Sequence, residues 1–557
     1  MLEPREQAAR NATFEPLRYP IFRRMWMASL LSNFGLLIQG VGAAWAMTEM
    51  TGAADMVALV QTAALTPMVL LALSAGAIAD TYDRRVVGLF ALGIGLAGAT
   101  GLCISAWAGL LTPSLILLFT FVIGAGTTLF SPAWQASVCE QVPPSSMPAA
   151  ISMNGISYNI ARSFGPAIGG VVVAAGGAAA AFLASALSFL PMMLVLALWR
   201  RVQEPPRLPP ERLHRAVVSG VRYVFHSPSI RILILRSILA GALGSPLFAL
   251  IPVIARNQLG GDAQTYGLML GAFGMGAVIG ALNLARFRSR LRPETIVRGC
   301  TVVLGAAMLT VGFSHSAWLT GGALLLAGIC WMVTVTVFNI GIQTLAPRWV
   351  AGRALAAFQT AIAGGLAIGS VATGYLAQRL GVDVALIATG TAMGLSAFAG
   401  LWLRVPEASE MVEESQALSS DPEVELKLSG RSGPIVLEIE YRVPRHRARA
   451  FYAVMQEVQL ARQRNGAYGW SIARDVSDPE LWTERYHCPT WLDYLRQRNR
   501  ATQIERDLQD RAFEFHDGSN EPRIRRMLER PFGSVRWRED VRDSATRAVL
   551  PVPPGGA

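Results

Sequence analysis

Cysteine is scarce in this chain and never clustered: five in 557 residues, at Cys103, Cys139, Cys300, Cys330 and Cys488, with no CxxC pair. A zinc site and a disulfide framework are therefore excluded as organising features, and the thiols are expected to act as small buried apolar groups. Charge is scarce as well. Only 16% of residues are charged against 52% hydrophobic, which excludes a disordered chain and a wholly soluble enzyme. No GxxxxGK[ST] loop is present, so nothing points to ATP as an energy source. About two dozen polar and charged residues precede the first apolar run, with no small-residue cleavage site soon after it, so a cleaved signal peptide is not expected.

What the sequence does have is unevenly placed. Residues 1–404 hold 26 basic and 13 acidic side chains, and residues 405–557 hold 23 and 25. The excess of positive charge lies mainly between apolar runs, and no basic stripe with interleaved aromatics accompanies it, so nucleic acid is not an expected partner. A bilayer core requires roughly 20 apolar residues per helix. Twelve such runs fill the first part, at about 24–48, 56–79, 86–107, 113–138, 148–173, 178–199, 229–254, 265–286, 295–313, 317–344, 353–378 and 383–403. One set of alternate loops carries nearly all the arginines, among them Arg84, Arg85, Arg200, Arg201, Arg286, Arg288, Arg290, Arg292, Arg348 and Arg353, while the other set carries only Arg256 and Arg379. The positive-inside rule then places both termini and the C-terminal part in the cytoplasm of a protein of the inner, or plasma, membrane.

Sliding the chain against itself by a little over 200 residues superposes Phe130 and Gln135 on Phe338 and Gln343, Gly165 and Gly170 on Gly369 and Gly374, and Gly35 near Gly241. Collinear matches over six spans are what a duplicated six-helix unit in parallel orientation leaves behind. The expected division is a first six-helix bundle over 1–200, a cytoplasmic linker over 201–228, a second bundle over 229–405, a linker over 406–433, a soluble domain over 434–537 and a disordered tail over 538–557.

The loop Gly76-Ala-Ile-Ala-Asp80-Thr-Tyr-Asp83-Arg84-Arg85 resembles the signature after the second span of the major facilitator superfamily, with Asp83 where that family prefers glycine. The resemblance covers all twelve spans. It implies a conformational latch between the bundles on the cytoplasmic side, a role that falls here to Asp80 and Arg84, with Gly76, Asp83 and Arg85 as parts of the motif. Gly165-Pro166-Ala-Ile-Gly169-Gly170 resembles the signature of superfamily members that export by antiport, although Ala161 replaces its first glycine. Small residues four apart also let helices approach closely, and proline bends a span.

Arg162 falls near the middle of span 5, where a lone charge costs a few kcal/mol and faces a polar cavity as a rule. No acid lies mid-span, and two accounts stay open: amides such as Asn154, Asn159, Gln39 or Gln343 hold Arg162, or its counter-ion is an acidic substrate. Arg236, about two turns inside span 7, is expected to snorkel to the interface. Further candidates to line a substrate cavity are Asn33 and Trp45 in span 1, Gln61 in span 2, Trp134 and Gln135 in span 4, Tyr158 in span 5, and Asn339 and Gln359 in spans 10 and 11.

From Pro434 the apolar period becomes two, with Ile435, Leu437, Ile439, Tyr441 and Val443 alternating with charged residues, as in a half-buried strand. A helix bearing Phe451, Val454, Met455 and Val458 on one face follows. Then come strands at Tyr468–Arg474 and Leu481–His487, one long charged helix over about 490–512, and a last strand at either 523–528 or 535–537. The order β-α-β-β-α-β is the ferredoxin-like pattern. The segments around Tyr468-Gly-Trp470 and Trp491-Leu-Asp-Tyr-Leu495 resemble the small dimeric barrels of antibiotic-biosynthesis monooxygenases. Dimerisation through this domain is one implication, and His487, Trp470 and Trp491 are expected to pack or to sit at a dimer seam rather than to catalyse.

The fold class expected is thus an all-α membrane part of two six-helix bundles followed by an α+β ferredoxin-like soluble domain. Together the segments from Gln39 through Trp45, Pro67, the Gly76 loop and Gly165-Pro166 are similar to the enterobactin-exporter-like branch of the superfamily. That implies a secondary transporter that exports a small amphiphilic, siderophore- or drug-like and acidic compound by alternating access and proton antiport, with no catalytic residue, cofactor or metal. The rival readings are a membrane-anchored enzyme, or a sensor, with the activity in the soluble domain.

Overall fold

The structure is a computed structural model that describes residues 15–138, 140–143, 146–199, 213–406, 424–426, 428–499, 502–518 and 521–529. The expected tail over 538–557 and the alternative last strand at 535–537 lie outside these residues. Spans 1 to 4 are α1 (Pro20–Thr51), α2 (Ala54–Thr81), α3 (Arg84–Trp107) and α4 (Pro113–Val138). One long helix, α5 (Met147–Leu198), carries spans 5 and 6 end to end, broken at Gly177, whose φ of 68° leaves the helical region. A short helix, α6 (Leu213–Phe225), precedes span 7, which begins as α7 (Pro228–Gly244). Spans 8 to 12 are α8 (Ala263–Arg290), α9 (Pro293–Phe313), α10 (Ala317–Leu345), α11 (Arg348–Leu380) and α12 (Val382–Leu395). Ten of the described helices are long and apolar enough to cross a membrane. With α5 counted as two spans and the interrupted span 7 added, the twelve apolar runs are all helical.

Span 7 breaks because Pro246 and Pro252 each lack the N–H that the helix ladder needs. Its continuation is a chain of short pieces, Pro246–Ala249 and Ile251–Val253, ending in wide π turns at Ile254–Gln258. Leu247, Leu250, Ile251, Val253 and Ile254 on this broken stretch are all buried.

The start of span 3 explains the departure at Asp83. Its carboxylate accepts the Arg85 backbone N–H at 2.8 Å and caps the helix, a role glycine fills less well.

The chain divides into two compact units. One holds both six-span halves; the other joins residues 218–231 and 343–354 to the described residues after 409. The second unit contains a four-stranded antiparallel sheet built from β1 (Ile435–Arg442), β2 (Tyr468–Arg474), β3 (Leu481–Cys488) and β4 (Arg523–Leu528), in the order β2-β3-β1-β4. That order is the ferredoxin-like topology the sequence pattern implies. Ile435, Leu437, Ile439 and Tyr441 of β1 face a core shared with Phe451, Met455 and Val458 of α13 (Ala448–Arg464). The opposite sheet face is charged, with Arg525 3.2 Å from Glu440 and Arg485 3.8 Å from Glu438.

One expectation for this domain needs correction. The single helix over 490–512 is two, α14 (Trp491–Asn499) and α15 (Gln503–Phe513). Thr502 and Glu505 form a reciprocal capping box that starts the second, a T-x-x-E signal legible in the sequence. Of the two alternatives for the last strand, the one at 523–528 is a strand among the described residues.

Candidate transport site at the seam between the halves

The glycines of the GPxxGG segment point two ways. A Cβ on Gly165 or Gly169 would meet Leu37, or Ile38 and Val41, of span 1 in the same half. A Cβ on Gly170 would lie 2.7 Å from the Ala263 carbonyl oxygen and 2.9 Å from Gly267 Cα, across the seam on span 8. The second half repeats this arrangement. Gly369 packs against Ala242 and Ser245 of span 7, and a Cβ on Gly374 would lie 2.5 Å from Ala58 on span 2. The pairs aligned by the internal repeat, 165 with 369 and 170 with 374, therefore perform equivalent contacts. Gly35 and Gly241 do not: Gly35 meets Ser188 of span 6, Gly241 meets span 11.

Contacts between the halves gather toward the end of the spans that carries few arginines. Arg256 of span 7 donates to the Thr48 carbonyl of span 1. The Ala54 N–H donates to Gln378 Oε1 at 3.0 Å, Thr62 Oγ1 to the Ala367 carbonyl at 3.2 Å, and Ser163 Oγ to the Gly274 carbonyl at 3.3 Å. Toward the arginine-rich end the same helices are less closely packed at several of the described residues. A Cβ on Gly76 of span 2 or Gly155 of span 5 would have no atom within 4 Å, and Tyr158, Met275, Ile279 and Leu282 are exposed. Among the described residues the seam is closed at the arginine-poor end and loosely packed toward the other.

Arg162 sits where the closed part gives way to the loosely packed part. Its guanidinium lies 5.9 Å from the Phe273 ring centre on span 8. Phe273 meets Phe248 edge-on at 5.2 Å, and Phe248 meets Trp331 at 5.3 Å, so one edge of the seam is aromatic. Trp45 of span 1 stacks on Tyr266 of span 8 at 6.3 Å and donates to Glu49 at 2.7 Å. Among the described residues no carboxylate pairs with Arg162.

The amides named as its alternative holders are engaged elsewhere or turned away. Buried Gln39 donates to Thr120 at 3.4 Å inside the first half, Asn159 donates to the Gly155 carbonyl of its own helix at 2.9 Å, and Asn154 Oδ1 is buried without a partner. Gln343 belongs to the other compact unit. Asn33 reaches Ser157 at 3.5 Å between spans 1 and 5, Gln135 is exposed and bonds Ser131, Gln61 and Asn339 are half-buried, and Gln359 is exposed. Of the sequence candidates, then, the structure brings Arg162 and Trp45 to the seam; Phe248, Tyr266, Phe273 and Trp331 were missed. Their signal was four aromatics in or beside spans 7, 8 and 10, beside the Gly244-Ser-Pro246 interruption.

The loop after span 2 makes its recorded contacts within the first half. Arg84 donates to the Ala136 carbonyl at 2.9 Å and pairs with Glu140 at 2.8 Å, and Arg85 donates to the Ala197 carbonyl. The Asp80 side chain lies outside the described residues.

Arg236 overturns the snorkelling expectation. It is 3% exposed, 2.6 Å from Glu294 Oε2 and 3.2 Å from the Leu403 carbonyl, while Glu294 also accepts the Val405 N–H. An acid at the first turn of span 9 was close enough to draw the guanidinium inward, binding spans 7, 9 and 12 together.

In the soluble domain Glu484, fully buried, accepts from Tyr441, Trp470 and Arg462 at 3.0 to 3.1 Å. Burial pushes the Tyr441 hydroxyl well up and the Cys488 thiol up to about 12, so the thiol stays protonated and unreactive. His487 stacks on Tyr468 at 5.4 Å, and Trp491 packs in the core.

The model of the family described as "transmembrane secretion effector" matches residues 11–532. The staphyloferrin A transporter of Staphylococcus aureus is 26% identical over 52% of this chain and 72% of its own length. The enterobactin exporter EntS of Salmonella choleraesuis is 27% identical over 65% of this chain and 87% of its own. Among solved structures, a bacterial homologue of the human lysosomal transporter Spinster, inward-facing and occupied, has a TM-score of 0.59 at 12% identity, covering 72% of this chain and 99% of that one. A D-xylose–proton symporter gives 0.56 at 14% identity, covering 70% and 99%. The fold is that of the major facilitator transporters, and the chain belongs to the transmembrane secretion effector family of multi-pass membrane transporters.

Proposed function

We propose that this protein exports a small, acidic, siderophore-like amphiphile across the inner membrane by alternating access, in exchange for protons. The observation that carries the reading is Arg162: a guanidinium at mid-span beside Phe273, with no carboxylate partner among the described residues. Leaving that charge uncompensated in a bilayer costs about 3 kcal/mol, and an anionic substrate offsets the cost while its apolar part lies toward half-buried Phe248, which Phe273 and Trp331 back from the core. The names of the exporter relatives support the substrate class. Loop arginines support placing both termini and the soluble domain in the cytoplasm. The loosely packed end of the seam then faces the cytoplasm, where an exporter collects its load.

Halves that rock about this site would bring the bare faces at Gly76 and Gly155 together while parting Gly170 from Gly267, the exchange alternating access requires. The test uses inside-out vesicles with enterobactin, staphyloferrin A and an uncharged dye, scored with and without an imposed pH gradient. Arg162→Ala is expected to abolish accumulation of the anionic compounds tenfold or more, and Arg162→Lys to retain part of it. Wild-type rates for an anion in Arg162→Ala would remove the assignment, and uptake indifferent to the gradient would remove proton exchange.

A further inference from the structure

A second cavity lies away from Arg162, at the arginine-poor end. Its volume is about 460 Å³, within the roughly 300–1,000 Å³ typical of small-molecule sites. Its walls come from four separate turns: Gly52 and Ala54 between spans 1 and 2, Asn257 and Gln258 at the end of span 7, Phe313 and His315 after span 9, and Gln378 with Asp383 between spans 11 and 12. The cavity therefore straddles the seam, with Gly52 and Ala54 from the first half and the rest from the second.

We infer that this cavity is a ligand site, distinct from the transport site, for a small amine that also bears a hydroxyl donor and an apolar body. Three features set that chemistry. Asp383 supplies a carboxylate, against which only His315 among the lining residues could carry positive charge. Gln258 lines the cavity and its Oε1 is buried with no hydrogen-bond partner, an acceptor whose desolvation no bond offsets and which, turned into the cavity, a donor from a ligand would satisfy. Phe313, with Val253, Val382 and Ile387, gives an apolar wall.

The site also has a built-in consequence for transport. Gln378, one of its walls, is the residue whose Oε1 accepts the Ala54 N–H at 3.0 Å and fastens span 11 to span 2. When the seam opens at this end, Ala54 and Gly52 leave and the cavity loses a side. A ligand that needs the complete cavity binds the closed state better, and by linkage it holds this end shut. The site is thus inhibitory, reached from outside the cell in the proposed orientation. None of this depends on what the protein exports.

The probe is tyramine, which carries an ammonium, a hydroxyl and a ring; its mirror is 3-(4-hydroxyphenyl)propionate, with a carboxylate in place of the amine. Full-length protein in nanodiscs, its five cysteines replaced by alanine and Thr62→Cys added, is alkylated by a bulky hydrophilic maleimide. Thr62 meets the Ala367 carbonyl across the seam at 3.2 Å and lies outside the cavity wall, so the rate reports opening at this end. Tyramine is expected to slow alkylation at least fivefold and to release or absorb heat on titration into the parent protein, while the propionate does neither. Asp383→Asn and, in a separate protein, Gln258→Leu should each remove the tyramine effect while leaving the unliganded rate within twofold. An unchanged rate with tyramine, equal protection by the propionate, or protection that survives both substitutions overturns the inference.

Discussion

Gly170→Ala adds one methyl group where backbone meets backbone across the seam. The new carbon would stand 2.7 Å from the Ala263 oxygen and 2.9 Å from Gly267 Cα, where carbon contacts settle at about 3.5–4.0 Å. Both obstacles are backbone, so no side chain can swing aside, and the halves must separate by several tenths of an ångström. Overpacking of this kind costs about 1–3 kcal/mol. Because Gly170 and Gly267 meet only while this end is shut, the cost falls on one conformer, which corresponds to about a 5- to 150-fold shift toward the other. Spin labels at Thr51 and Asn257, on spans 1 and 7 beside the seam, read the opening by pulsed electron–electron resonance in a cysteine-free background. Gly170→Ala is expected to populate a longer distance, and Gly374→Ala, which meets Ala58 at 2.5 Å, to do the same from the other repeat. Gly155→Ala, with no atom within 4 Å, should leave the short distance intact or favour it, since the bare face is the one that closes in the opposite conformer. A Gly170→Ala distribution identical to wild type, or an equal lengthening by Gly155→Ala, would refute the two-state reasoning.

Much of this was legible before any coordinates, for physical reasons that differ by element. The twelve spans could be read because a bilayer admits only long apolar helices, and the break at Gly177 changes only where one helix is said to end. The repeat was legible through Gly165, Gly170, Gly369 and Gly374 because glycine at a backbone contact tolerates no substitute, so two copies keep the same spacing. Gly35 and Gly241 aligned without sharing a contact; a single coincidence of small residues carries little information. The transport site was half legible. Charge made Arg162 conspicuous, whereas Gln39, Gln135 and Gln359 have the right chemistry but turn into the first half or out of the protein. Which face of a helix looks at the seam depends on its rotation, and spans with apolar residues all round give no period to fix it. Arg236 was misjudged for a related reason. Its partner Glu294 lies 58 residues away, and only the packing of spans 7 and 9 brings them together.

Arg236→Ala leaves Glu294 in a mostly buried position without its counter-charge, so the melting temperature in detergent should fall as for a loss of about 3 kcal/mol or more. Arg236→Met with Glu294→Leu should recover part of it, and an unchanged melt for Arg236→Ala would show the pair to be idle. Asp83→Ala removes the cap of span 3 and should cost about 1 kcal/mol, seen as faster hydrogen exchange at residues 84–87 and nowhere else. In the second compact unit, Tyr223 of α6 is 3% exposed and lies 5.7 Å under the Arg464 guanidinium, which pairs with Glu505 at 2.8 Å. A bridge helix between two six-span halves is thus held by the soluble domain through an aromatic ring, a cation and a carboxylate in series. Burial pushes the Tyr223 hydroxyl well above its ordinary range, so the ring stays neutral and its contribution is area and cation–π attraction rather than charge. Tyr223→Phe, which keeps the ring and loses only the hydroxyl's contact with Ser227, should therefore be much milder than Tyr223→Ala; Tyr223→Ala and Arg464→Ala should each raise hydrogen exchange in both 218–225 and 503–513. If exchange rises in neither segment, the ring does not fasten the helix; if Tyr223→Phe is as disruptive as Tyr223→Ala, the hydroxyl and not the ring is what the contact uses.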